Sequence, residues 1–193
     1  MPLAERPKPE PPKPLRREQP PKPLRRERVP TSQICFVDGC TNTAAFKTRS
    51  KPTWCDEHIV ELQRQGGIKP LESFTHPDDW QLTECLTCTV QAHYRFNYTL
   101  EKNRLGEPTC RACFWRKWAA DARAMQGTWA NVQAVPHDEA KVFAEEYGFD
   151  YLGPLTAPSL PDDPHHVRCR RCGKISAQRL GDISFGCSCR PRT

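Results

Sequence analysis

Nowhere in the 193 residues is there an apolar run of about 18, so no membrane span is expected. The opening residues, Met1-Pro2-Leu3-Ala4-Glu5-Arg6-Pro7, have no apolar stretch of the kind that drives secretion, and no export is expected either. Only 37% of the chain is hydrophobic, which leaves little material for a large core. No nucleophile stands with a base beside it. An even cysteine count is missing too: there are 11, which fits a disulfide framework badly and thiolate metal sites in a reducing compartment well. The expected location is therefore the cytoplasm, nucleoid association included.

Of the 20 prolines, half fall in residues 1–30, where PPKPLRRE occurs at Pro11–Glu18 and again at Pro20–Glu27. Proline at this density blocks helix and sheet, so residues 1–30 are expected to form a disordered, extended arm. Its Arg16-Arg17 and Arg25-Arg26 pairs could touch phosphates or a partner, or simply keep the arm solvated. The arm carries nine Lys/Arg and four Glu, and so holds five of the six net positive charges. With three zinc ions and eleven thiolates counted, the remainder of the chain falls to about −4, so the basic pI says little about what the folded part binds.

What the chain has in abundance is paired sulfur. Cys35-x4-Cys40 is followed by Cys55-x2-His58, Cys85-x2-Cys88 by Cys110-x2-Cys113, and Cys169-x2-Cys172 by Cys187-x-Cys189. In each cluster 14 to 21 residues separate two close pairs, the spacing of structural zinc sites. Eleven Cys and His58 make twelve ligands, which is three tetrahedral sites with no remainder. His165 and His166 are reserve ligands for the third site. The expected fold is a small zinc-stabilised α+β chain of tandem treble-clef and zinc-ribbon modules. The boundaries are 1–30 for the arm, 31–72 for a treble clef with three cysteines and one histidine, 73–133 for a four-cysteine treble clef and 134–193 for a four-cysteine zinc ribbon or truncated treble clef.

Local patterns fill in the modules. Tyr94, Phe96 and Tyr98 alternate with polar residues and predict one strand of a hairpin, with a turn over 103–108. These aromatics could stack bases, as aromatic strands do in RNA-binding sheets, but are expected instead to pack on Phe114 and Trp118, and Trp54, Trp80, Trp115 and Trp129 to hold modules together. Cys110 and Cys113 lead into a proline-free helix to Met125. Further helices are expected at 58–65 and at 138–147, the latter stopped by Gly148. No closing helix fits after Cys189. Between residues 70–88 and 154–172, 84 positions apart, seven of nineteen residues are identical, which indicates a duplication.

Three stretches carry a family likeness: Cys169-Arg170-Arg171-Cys172-Gly173, Arg179-Leu180-Gly181-Asp182-Ile183 and Gly186-Cys187-Ser188-Cys189. Together with Ala144-x3-Gly148 and Tyr151-Leu152-Gly153 they resemble a repeat module of bacterial and phage zinc-ribbon/treble-clef proteins. Such modules usually end Cys-x2-Cys, where this chain has Cys-x-Cys. Residues 35–58 are similar to small phage-type Cys-x4-Cys…Cys-x2-His fingers. The likeness covers about half the chain. Relatives of this kind often accompany endonuclease or other DNA-processing domains, which implies nucleic-acid binding.

Candidate phosphate contacts lie along the middle helix at Arg111, Arg116, Lys117 and Arg123, and around the third cluster at Arg168, Arg170, Arg171, Lys174 and Arg179. The expected partner is nucleic acid, DNA foremost. A larger protein complex, with nucleic acid incidental, is the other reading. Catalysis is not expected. His93 and Asn97 lie where a treble-clef nuclease would place its base, but the helix after Cys113 offers no carboxylate before Asp121, and closed four-ligand zinc sites have no open position.

Overall fold

Proline-free stretches that end at glycine account for the helices. α1 (Asp56–Gln65) carries Asp56 and Glu57 in its first turn and Arg64 in its last, matching the helix dipole. It stops at Gly66 and at Gly67, whose φ is +75°. The computed structural model describes residues 33–49, 52–125, 133–157 and 159–189. The expected arm 1–30 and Trp129 lie outside them.

After α1 come β1 (Ile68–Pro70), β2 (Gln81–Cys85) and β3 (Gln91–Tyr94), an antiparallel sheet in the order β1-β2-β3, which spans residue 72. Two helices follow, α2 (Phe96–Leu105) and α3 (Arg111–Met125). The pattern then repeats. α4 (His137–Glu146) leads to β4 (Phe149–Pro154), β5 (His165–Cys169) and β6 (Ile175–Gln178), again antiparallel in sequence order, and to the short α5 (Leu180–Ile183).

The duplication is visible in the hydrogen bonds. Cys85 N–H donates to Val90 O, and Cys169 N–H to Lys174 O, 84 positions later. Thr89, the one described non-glycine residue with positive φ, corresponds to Gly173. Arg95 and Arg179, also 84 apart, cap the helices after β3 and β6. Upstream the offset is 81: Gly67 O accepts from Leu86 N–H and Gly148 O from Arg170 N–H. An irregularity between Tyr151 and Gly153 in β4 marks where the offset changes.

One expected element is corrected. Phe96 to Tyr98 do not continue a strand. β3 ends at Tyr94, Arg95 is extended at φ −91° and ψ 143°, and a helix begins at Phe96. The tertiary environment outweighs the alternation. Phe96 is buried against Phe46, Trp54 and Phe74, with ring centroids 5.6–6.5 Å away. Tyr94 instead stacks on Tyr98 at 5.9 Å, and Phe114 pairs with Trp115. The expected packing of Tyr94, Phe96 and Tyr98 on Phe114 and Trp118 is therefore replaced by these pairings.

The repeats meet where β3 lies beside β6. Ile175 N–H donates to His93 Nδ1 at 3.1 Å, and His166 Nε2 stands 2.8 Å from Gln91 O. Cys85, Cys110 and Ala112 of the first repeat pack with Ala177 and Leu155 of the second.

Gly66 is required by close approach rather than by backbone strain. A Cβ there would lie 2.7 Å from Thr109 Oγ1 and 2.8 Å from both Asn103 Oδ1 and Thr99 Cγ2. Gly66→Ala is expected to cost about 1–3 kcal/mol, read as a lower urea midpoint, because α2 and the start of α3 must back away from α1.

Candidate metal centres and the groove between the repeats

All twelve expected ligands converge as three groups: Cys35, Cys40, Cys55 and His58; Cys85, Cys88, Cys110 and Cys113; Cys169, Cys172, Cys187 and Cys189. Within each group the ligand atoms lie within 4.8 Å of one another, and every cysteine is free. A tetrahedral zinc with Zn–S near 2.3 Å sets sulfurs about 3.8 Å apart. The observed separations are 3.9 Å for Cys40–Cys55, 3.8 Å for Cys85–Cys113 and 3.7 Å for Cys88–Cys110. In the third group Cys169–Cys189 and Cys172–Cys187 are both 3.8 Å. Disulfides would need about 2.05 Å. His58 Nδ1 completes the first group, 3.3 Å from Cys35 Sγ and 3.1 Å from Cys55 Sγ. Three groups positioned to hold metal, with thiolate and imidazole donors at these spacings, fit three zinc ions.

The backbone explains how each group assembles. Cys85-x2-Cys88 and Cys169-x2-Cys172 each sit at the turn of a hairpin, β2–β3 and β5–β6. The closing pairs of the first two groups stand at helix starts. Cys55 caps α1 with His58 in its first turn, and Cys110 precedes α3 with Cys113 in its first turn. The matching bonds, Ile59 N–H to Cys55 O and Phe114 N–H to Cys110 O, are both 3.0 Å. Free N–H groups at a helix start favour thiolate there. In the third group Cys187 and Cys189 follow Gly186 in irregular chain, consistent with the shorter Cys-x-Cys spacing.

Burial disfavours the thiolate at several of these sulfurs unless a cation stands beside them. Burial, with neighbouring sulfurs adding to it, pushes the Cys113 and Cys187 thiols up to about 12. Burial also raises Cys110. Four sulfurs this close cannot all ionise unless a dication stands among them. Arg171 offsets charge at the third group. Its Nε donates to Cys189 Sγ at 3.0 Å and its Nη2 to Cys187 O and Cys189 O, and Cys189 is lowered to about 7 despite burial.

His165 and His166 lie outside the metal groups. His165 is fully buried, its ring between Tyr151 Oη at 2.9 Å and Ser159 Oγ at 3.3 Å. Burial holds His93, His165 and His166 below the ordinary histidine range. The unfolded chain therefore binds protons that the folded chain refuses once pH drops below about 6.5. The histidine contribution to stability is expected to be constant above that pH and to be lost progressively as pH falls below about 6.5. The urea midpoint should fall less steeply over this range in His165→Asn than in the wild type.

The nine candidate phosphate contacts divide sharply. Arg168 and Arg170 both pair with Asp150, and Arg123 with the buried Asp163. Lys117 pairs with Asp121, and Arg116 donates to Leu155 O from both Nε and Nη2. Arg179 pairs with Asp182 and lies over Trp115 and Trp118 at 4.2 and 5.0 Å, tying the second repeat to α3. Arg171 serves the third metal group. Lys174 and Arg111 have no carboxylate partner among the described residues, and neither has Arg95, which the charge clusters did not single out. All three line one cavity of about 210 Å³ between the repeats. The signal that could have found Arg95 is its match to Arg179, 84 positions on.

His93 and Asn97 are committed elsewhere: His93 accepts from Ile175 N–H, and Asn97 Nδ2 donates to Asp78 Oδ1 at 2.6 Å. No helix among the described residues is long and apolar enough to cross a membrane. Comparison of the chain with protein-family models, curated proteins and solved structures finds no match.

Proposed function

We propose that this chain is a non-enzymatic nucleic-acid-binding adaptor or regulator, acting on DNA foremost in the cytoplasm. In this reading its zinc sites hold two treble-clef-like modules and one ribbon-like module. The supporting observation is the cluster of Arg95, Arg111 and Lys174, three cations without carboxylate partners around one cavity. Most other arginines of the described repeats are consumed internally, so phosphates would find charge available in this groove. With the zinc-loaded body near −4 overall, binding must be local rather than driven by net charge.

Titration with duplex DNA at several salt concentrations tests this. About five phosphate contacts give a log–log slope near −4 to −5. No detectable binding at low salt would remove the proposal. The second reading, a scaffold within a protein complex, is favoured by Ile34 and Phe36, two large apolar side chains exposed at 64% and 67% on either side of Cys35 in the first metal group.

A further inference from the structure

The groove between the repeats holds more than charge. Trp80, just before β2, is 41% exposed, unlike an ordinary core tryptophan. The Arg95 guanidinium lies 4.5 Å and the Lys174 ammonium 4.1 Å from its ring centroid. Tyr94 and Tyr98 stack nearly parallel in the same wall, at 14°, with Tyr94 Oη accepting from Arg111 N–H at 2.8 Å. The 210 Å³ cavity they line shares Trp80, His93, Arg95 and Lys174 with a wider groove of about 760 Å³ that runs to the third metal group.

Phosphate binding alone does not call for this construction. A duplex presents phosphates outward and hides the faces of its bases, so cations on an open surface suffice. An unpaired strand offers π-faces as well as phosphates, and it is held by aromatic walls with cations beside them. Here two cations rest on a ring instead of on carboxylates. A phosphate can therefore draw on them without competing against an acid, while a base stacks on the flat Arg95 guanidinium, which the indole supports from behind. Asp79 at the groove's edge already accepts from Thr75 Oγ1 at 2.9 Å. Ser176 and Gln178, also in the cavity wall, are bonded to each other, Gln178 Nε2 donating to Ser176 Oγ at 2.7 Å, so the rest of the Gln178 amide is what a base edge would meet.

We infer that this cleft is a stacking site for an unpaired nucleotide, so that the protein holds single-stranded nucleic acid across the junction of its two repeats. The inference rests on the nucleic-acid reading above and narrows it. Neither repeat alone builds the cleft: Trp80 and Arg95 come from the first, Lys174 and Gln178 from the second.

The test uses the full, zinc-loaded chain and anisotropy of a labelled oligodeoxynucleotide, single-stranded and as its duplex, at one salt concentration. The single strand is expected to bind more tightly. Trp80→Ala should cut that preference by about 5- to 150-fold, the range for losing one stacked base. Should Trp80→Ala lose zinc or helix signal, the Arg95→Gln/Lys174→Gln double variant serves instead and should also weaken single-strand binding. Equal affinities for single strand and duplex, unchanged by either variant, overturn the inference and leave the phosphate reading standing. No binding to either overturns both. Displacement of the labelled strand by poly-glutamate at lower concentration than by unlabelled strand overturns it in favour of an acidic peptide partner.

Discussion

Excess strong chelator at neutral pH is expected to abolish the cooperative fold. A folded domain is typically stable by about 5–15 kcal/mol in total, and one structural zinc contributes on the order of 10–16 kcal/mol at neutral pH. Three such ions therefore exceed the net stability of the whole chain. The structure adds an order of loss. The third group should empty first, because Cys172 is exposed and Cys187–Cys189 lie in irregular chain. The second should empty last, because Cys85 and Cys110 are buried and pack on Ala177 and Leu155 of the other repeat. Native mass spectrometry during chelation reads the stoichiometry, and circular dichroism reads the fold. A metal-free species that keeps its helix signal and a cooperative melt would overturn this account.

Phe96→Ala should have the next largest effect, about 3–5 kcal/mol, because it opens a cavity among Phe46, Trp54, Phe74 and Ile59. A second consequence separates it from an ordinary core mutation. α1 carries Cys55 and His58 on a helix packed against α2, which begins at Phe96. Loosening that contact should weaken the first zinc site while sparing the other two. The urea midpoint measures the first effect. Partial chelation followed by native mass spectrometry measures the second, with the first zinc leaving earlier than in the wild type. Loss of all three ions together would show that α1 is not the element affected.

Much of the metal chemistry was legible in the sequence because ligand spacing is local. A Cys-x2-Cys turn and a pair at a helix start are short-range features, and all twelve donors fell into the three expected groups. The helices at 56–65, 111–125 and 137–146 were legible because glycine and proline mark their limits. The strand over 94–98 was not. Its alternation was real, but alternation cannot report that Phe96 is buried by rings about 20 to 50 residues away in the chain.

Charge was the least legible property. Arg168, Arg170 and Arg123 looked as available as Lys174 in the sequence, but carboxylates at Asp150 and Asp163 consume them. Arg95 stood outside every basic cluster and yet sits beside Trp80 at the repeat junction.

The donors, their partition into three sets and the repeated unit all follow from the order of residues, because sulfur chemistry and chain spacing act over short stretches. Which cations stand clear of carboxylates, and where the two repeats meet, emerged with the folded chain alone. Ion pairing and aromatic contact depend on through-space distances of a few ångströms, and folding sets those distances between residues far apart in the chain.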